Sequence, residues 1–186
     1  MAAVPRILAI SGSLRQASLN TALLRAAQEL APPGMAISLY PGLGALPPYN
    51  QDVELAGDPA PVADLKAAVR AADALLIATP EYNYAVPGVL KNALDWLSRP
   101  AAASPLKGKP AAILGVSLGG GGTARAQLVL RQSFLFTETY AMLKPEFALA
   151  RASEKFDAAG RLTDESTRQR LAEFLQALAA WSERWN

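Results

Sequence analysis

Three short runs of almost purely apolar residues constrain this chain most. They are Arg6-Ile7-Leu8-Ala9-Ile10, Asp73-Ala74-Leu75-Leu76-Ile77-Ala78-Thr79 and Ala111-Ala112-Ile113-Leu114-Gly115-Val116-Ser117. Apart from their ends, none has a polar face. A strand of this kind must be covered on both sides, which is the situation in a parallel sheet flanked by helices.

The segments between the runs carry apolar residues at helical spacing. A helix is expected over 18–30, stopped by Ala31-Pro32-Pro33-Gly34. Residues 35–40 read as a second strand, and the Pro- and Gly-rich stretch 41–58 reads as a long surface loop. Val62, Leu65, Ala68 and Val69 mark a helix over 59–72, with Pro59 and Pro61 at its tolerant start. Further helices are expected over 87–97 and 123–136. A fifth strand starts at Ala141-Met142-Leu143 and continues past Lys144-Pro145 towards Phe147. After a polar hairpin-like stretch over 156–161, the last helix runs from Asp164 to Trp185. Thr163 is its expected cap, and Leu171, Phe174, Leu175, Leu178 and Trp181 form its expected buried face. Five strands alternating with helices imply an α/β fold with helices on both faces and ligand sites beyond the C-terminal strand ends. The 186 residues suit a single domain over 1–186, without repeats or linkers.

Composition removes whole classes of chemistry. The chain has no cysteine and no histidine. That excludes disulfides, thiol catalysis, a Ser-His-Asp triad and zinc sites built on those ligands, so no metal is expected. A bound cofactor would supply what is missing. The net charge of +2 comes from scattered basic residues without aromatic interleaving, which argues against a nucleic-acid partner. Charges and prolines interrupt every apolar stretch before the ~20 residues of a membrane span. The residues before the first strand are too few for a secretory signal, so a cytoplasmic location is expected.

Three unusual loops follow strands one, three and four. The first, Ser11-Gly12-Ser13-Leu14-Arg15-Gln16-Ala17-Ser18-Leu19-Asn20, leads straight into a helix. A helix N-terminus with hydroxyls and a guanidinium around it suits an anion. The loop lacks both the Gly-Lys-Ser/Thr phosphate loop and the Gly-x-Gly-x-x-Gly dinucleotide fingerprint. It therefore suits a terminal phosphate monoester, or else is a solvated turn with Ser18 as helix cap. The second loop, Thr79-Pro80-Glu81-Tyr82-Asn83-Tyr84-Ala85-Val86-Pro87-Gly88, offers two aromatic rings and an amide to a planar heterocycle, or to a neighbouring subunit. The third, Ser117-Leu118-Gly119-Gly120-Gly121-Gly122-Thr123, lets backbone approach a flat ligand, or is a flexible connector. Phosphate at one end and a ring at the other describe a mononucleotide such as flavin mononucleotide (FMN).

Gly12-Ser13-Leu14-Arg15 with Ser18 and Asn20, followed by Pro80-Glu81-Tyr82-Asn83-Tyr84, Val86-Pro87-Gly88 and Leu90-Lys91-Asn92-Ala93-Leu94-Asp95-Trp96, resemble the NADPH-dependent FMN reductase family. Thr123-Ala124-Arg125-Ala126-Gln127 with Leu130-Arg131-Gln132 resembles its chromate/quinone reductase branch. The resemblance implies a flavodoxin-like three-layer sandwich on a five-stranded parallel sheet of order 2-1-3-4-5, binding FMN without a covalent link. It implies phosphate contacts from Ser11, Ser13, Arg15, Ser18 and Asn20, with Leu19 in the same cofactor-binding loop. It implies ring contacts from Pro80, Glu81, Tyr82, Asn83 and Tyr84, and from Ser117, Gly119 and Gly120. It further implies a homodimer or homotetramer with FMN near the interface. The activity implied is hydride transfer from NAD(P)H, through the flavin N5, to a small-molecule acceptor: a quinone, a flavin, an azo compound or chromate. No side chain is assigned as catalytic; Glu81 is read as structural or exposed. Two rivals share the fold. A flavodoxin-type electron carrier is typically strongly acidic, unlike this chain. A receiver-like signalling domain needs acidic residues where Ser11 and Thr79 stand.

Overall fold

The computed structural model describes residues 5–185. Met1 to Val4, which bear on the reading of the N-terminus, lie outside them. The strands are β1 (Arg6–Ser11), β2 (Ala36–Leu39), β3 (Ala74–Ala78), β4 (Pro110–Val116), β5 (Tyr140–Ala141) and β6 (Phe147–Leu149). The helices are α1 (Leu19–Glu29), α2 (Gln51–Ala56), α3 (Ala60–Ala71), α4 (Gly88–Leu97), α5 (Ala124–Thr137) and α6 (Glu165–Glu183).

All strand pairs are parallel, in the order β2-β1-β3-β4-β5, with β6 also on β4. This is the expected flavodoxin-like order. The fifth position is not one continuous strand. β5 pairs with Pro110 and Ala111 at the start of β4, and β6 pairs with Leu114, Gly115 and Val116 at its end. Between them the chain leaves the ladder around Pro145, which has no N–H to donate.

Alternation along the central strands builds the three layers. Ile7, Ala9, Leu76, Ala78, Leu114 and Val116 pack on one face with Leu23, Leu24 and Ala27 of α1 and Leu171, Phe174 and Leu178 of α6. Leu8, Ile10, Leu75, Ile77, Ala111 and Ile113 pack on the other with Val62 and Leu65 of α3, Leu90 and Trp96 of α4, and Leu130 and Phe134 of α5. All of β3 and β4 is buried, as their unbroken apolar sequences require.

Three further expectations need correction. The 41–58 stretch is not a plain surface loop. It contains α2, capped by Asn50, whose side chain accepts from Asp52 N–H. The stretch is also pinned to α4: Asn92 accepts from Tyr49 N–H at 2.7 Å, and both Asn92 Nδ2 and Trp96 Nε1 donate to Pro47 O, at 2.9 and 2.8 Å. No residue of α2 is buried, so no apolar period announced it. The cap of α6 is Asp164, not Thr163; its carboxylate accepts from Thr167 N–H at 3.0 Å. Finally, α6 ends at Glu183, and Trp181 is only partly buried, donating its Nε1–H to Tyr140 O.

Candidate functional site

The parallel register brings the three unusual loops to one edge. Ser11 lies beside Ala78, Gly12 N–H donates to Ala78 O, and Thr79 N–H donates to Leu114 O. A cleft of about 230 Å³ opens there. Ser13, Arg15, Ala17, Ser18, Leu19 and Asn20 line it from the first loop, Pro80, Glu81 and Tyr82 from the second, and Val116, Ser117 and Leu118 from the third. Ser11, Asn83, Tyr84, Gly119 and Gly120 lie outside this lining.

The first loop presents donors outward. Ser18 caps α1 by accepting from Thr21 N–H at 3.3 Å, which leaves its own O–H to donate. Ser13 Oγ likewise accepts, from Arg15 N–H at 3.4 Å. The N–H groups of Leu19 and Asn20 sit in the first helical turn, where the helix provides no acceptor. Arg15 is exposed, and among the described residues no carboxylate pairs with it. An unpaired guanidinium beside a helix N-terminus suits a dianion.

Two residues of this loop face inward. Ser11 Oγ shares a 2.8 Å hydrogen bond with Thr21 Oγ1 and accepts from Ser13 N–H at 3.3 Å, so it shapes the loop from beneath. Asn20 donates through Nδ2 to Val116 O and accepts at Oδ1 from Val116 N–H, each at 3.1 Å. Its amide is spent on β4, and what it offers the cleft is its backbone N–H.

The second loop closes in a tight turn. Tyr82 and Ala85 exchange both backbone hydrogen bonds at 3.0 Å, and Asn83 and Tyr84 both have positive φ, 51° and 64°. Two successive left-handed residues define a type I′ turn, which suits asparagine but is uncommon for tyrosine. Tyr82, Asn83 and Tyr84 are exposed. The Glu81 side chain is 10% exposed and accepts three hydrogen bonds, from Arg125 Nε and from the N–H groups of Arg125 and Ala126, while Arg125 Nη2 completes the ion pair. Desolvation pushes its pKa up. The guanidinium hydrogen bond, the Ala126 N–H and the charge of Arg125 outweigh this and hold it below the usual carboxylate range. Glu81 is therefore an ionised structural carboxylate.

In the third loop Ser117 is bonded within the protein while it lines the cleft. Its N–H donates to Leu149 O and its Oγ to Gly119 O. Gly119 and Gly120 have nothing within 4 Å of where a Cβ would be, so their backbone is open to a ligand. Gly122 is different. Its φ is +55°, and a Cβ would meet Ala148 C at 2.9 Å, so only glycine fits against β6 there. Among the described residues no group of three or more Asp or Glu could hold a metal ion, and no helix is long and apolar enough to cross a membrane.

Arg125 was not among the expected site residues. Its guanidinium pairs with Glu81 and lies 3.8 Å from the centroid of the Tyr84 ring. Its signal was its place in the Thr123–Gln127 motif. The donor set as a whole fits a phosphate monoester at the α1 N-terminus, and the aromatic turn with the open glycines fits a planar ring beside it.

Comparisons with known proteins give the family. The family model described as NADPH-dependent FMN reductase matches residues 5–154. An NAD(P)H-dependent FMN reductase of Pseudomonas aeruginosa is 51% identical over 179 residues, 96% of each chain. A quinone reductase of Pseudomonas putida is 40% identical over 181 residues, covering 97% of this chain and 96% of its own. Among solved structures, the flavoenzyme NAD(P)H:(acceptor) oxidoreductase FerB of Paracoccus denitrificans superposes with a TM-score of 0.90 at 40% identity, over 98% of this chain and 99% of that one.

Proposed function

The chain belongs to the NADPH-dependent FMN reductase family, and we propose that its cleft holds FMN with the phosphate at the β1 loop and the ring between the β3 and β4 loops. The protein is an NAD(P)H-dependent FMN oxidoreductase of the quinone reductase kind. The observation that carries the placement is the convergence in one cleft of an unpaired arginine, a free helix N-terminus and an aromatic turn.

FMN, when bound, supplies the two-electron chemistry that takes hydride from NAD(P)H and gives it to the acceptor. The protein's own residues bind and orient. Arg15, Ser13 and Ser18 and the N–H groups of Leu19 and Asn20 hold the phosphate. Pro80 to Tyr82 border the ring, with Asn83 and Tyr84 at the tip of the turn. The N–H groups of Leu118, Gly119 and Gly120 supply donors at the polar edge of the ring, where reduction places negative charge. Ser11, Ser117 and the Asn20 amide shape these loops from within.

The acceptor class extends from quinones and flavins to azo compounds and chromate. The whole chain acts as one FMN-binding domain in the cytoplasm, where reduced pyridine nucleotide is available. It assembles as a homodimer or homotetramer with FMN near the interface. Leu135 and Phe136 on α5 are 82% and 76% exposed, which supports a covered face on that helix. Anaerobic addition of NADPH to the yellow holoprotein tests the reading. Bleaching faster than free FMN, followed by recovery of colour on adding a quinone, is expected. A protein that neither carries nor binds FMN overturns it.

A further inference from the structure

Helix α5 starts without a cap of its own. Thr123 stands at the N-cap position with φ +69° and makes no capping bond, its Oγ1 accepting instead from Gln127 Nε2 at 3.2 Å. The exposed N–H groups of the first turn must find another acceptor. They find it 44 residues away: Arg125 N–H and Ala126 N–H donate to Glu81 Oε2 at 3.0 and 3.3 Å. Glu81 Oε1 receives Arg125 Nε and Nη2, each at 2.7 Å. One nearly buried carboxylate therefore caps α5 and holds its second residue, and it ties the β3 loop to the β4 loop.

The same guanidinium covers the ring of Tyr84. Tyr84 and Asn83 both hold a left-handed backbone, which tyrosine adopts only when its surroundings impose it. Two attachments hold the turn in that form. Glu81 anchors its base and the Arg125–Tyr84 stack anchors its tip. Tyr82 and Tyr84 remain largely solvent-facing at the mouth of the cleft. They are flat surfaces, and a planar acceptor is what such surfaces suit.

We propose that Arg125 is a positioning residue for the planar acceptor: through Glu81 and the Tyr84 ring it holds the 82–85 turn in its left-handed form and so fixes the wall against which the acceptor stacks. The inference rests on the reading of the cleft given above. It separates the two ends of the site, with the phosphate grip in the first loop and acceptor placement at the Arg125 clasp.

The test uses the holoenzyme with benzoquinone as acceptor at saturating NADPH. Arg125→Ala should raise the benzoquinone KM about tenfold while kcat and the FMN Kd stay within about threefold. Arg125→Lys keeps the charge but neither the planar fork nor the stacking face, so it should recover only part of the loss. The double variant Arg125→Ala/Glu81→Gln should be little worse than Arg125→Ala alone, because both act through one contact. Tyr84→Leu leaves the Glu81–Arg125 pair intact and should also raise the KM; it decides the matter if Arg125→Ala does not fold. A lower melting temperature with an unchanged KM in Arg125→Ala overturns the proposal, as does an unchanged KM in Tyr84→Leu. FMN binding weakened more than about tenfold in Arg125→Ala overturns it too, since the clasp then acts on the cofactor rather than on the acceptor. Arg15→Ala reports on the cleft independently: if that variant binds FMN normally, the reading of the site fails whatever Arg125 does.

Discussion

Asn20, in the first turn of α1, pairs its side-chain amide with both the N–H and the C=O of Val116, the last residue of β4, at 3.1 Å each. In a parallel ladder a residue gives both backbone groups to one neighbouring strand. The Asn20 amide takes the place of that strand and joins the first loop to the third. Glu81 joins the second loop to the start of α5, just after the third loop, by accepting from two backbone N–H groups there. Two side chains thus hold three loops, from distant parts of the chain, in one arrangement.

Replacing Asn20 by Ala leaves the buried Val116 N–H and C=O without partners. The cost should be about 2–4 kcal/mol, with unsatisfied backbone groups as its main source. Urea unfolding of the apoprotein measures it. A loss under about 0.5 kcal/mol would mean that water or a neighbour replaces the amide at no cost.

Gly115→Ala should be among the most damaging single-methyl changes in the chain. A Cβ there would collide with Thr123 Oγ1 and lie 2.6 Å from Thr79 O. Overpacking of this kind costs about 1–3 kcal/mol, and the backbone oxygen has the less room to yield. Because Thr123 leads into α5, the clash should also disturb FMN binding. Gly115→Ala/Thr123→Ser should recover little, since the hydroxyl and the Thr79 carbonyl both remain. Thermal melting with an FMN titration reads both effects.

Arg15→Ala should weaken FMN binding by about 1.5–3 kcal/mol if its guanidinium makes a charge-assisted phosphate contact. Riboflavin, which lacks the phosphate, should bind the wild type and the variant alike. Fluorescence titration of the apoprotein with both ligands checks the pair of expectations. Equal FMN affinity in the two proteins removes Arg15 from the site.

Stability should fall at both ends of the pH scale. A hydrogen bond from Arg6, with its charge, holds Asp73 below its ordinary value. The backbone and side chain of Arg161 do the same for Asp157. At Asp164 the Thr167 hydroxyl comes first, followed by Lys155. A carboxylate lowered in the folded state stabilises it fully above its unfolded value, about pH 4, and loses that contribution as pH falls through the folded one. Tyr40 works in the opposite sense. Burial first, then its hydrogen bond to Asp64 at 3.0 Å, push its hydroxyl up to about 12. The native state resists the ionisation that the unfolded chain undergoes near pH 10, so stability drops between about 10 and 12. Denaturation midpoints across pH give the profile. Asp164→Asn should flatten its acid limb, and Tyr40→Phe its alkaline limb.

Much of the fold was legible in the sequence because burial leaves a local mark. β1, β3 and β4 are covered on both faces, and their apolar runs say so. α4 and α6 show their buried stripes as Leu90, Leu94 and Leu97 and as Leu171, Phe174, Leu175 and Leu178. The misreadings fall where that mark is weak. Nothing in α2 is buried, although Asn50 followed by Asp52 and Glu54 is a capping signal. β5 and β6 are two and three residues long, too short to show a period. At α6 Thr163 was the expected cap and Asp164 the first helical residue, but the cap is the residue whose carboxylate reaches Thr167 N–H, Asp164.

By itself the sequence determined the alternation of the main strands and helices, the parallel sheet it implies, and hence the edge where three chemically unusual loops meet. It could not determine which way each polar side chain in those loops turns. Asn20, Ser11, Ser117 and Glu81 all read as ligand contacts, and each side chain has a partner within the protein: Val116 backbone, Thr21 Oγ1, Gly119 O and Arg125. A hydrophobic period is written over a dozen neighbouring residues, whereas a hydrogen bond depends on ångström distances between groups 96 residues apart, as Asn20 and Val116 are. Only the folded chain brings such groups together, and only there is it settled which donors remain for a ligand.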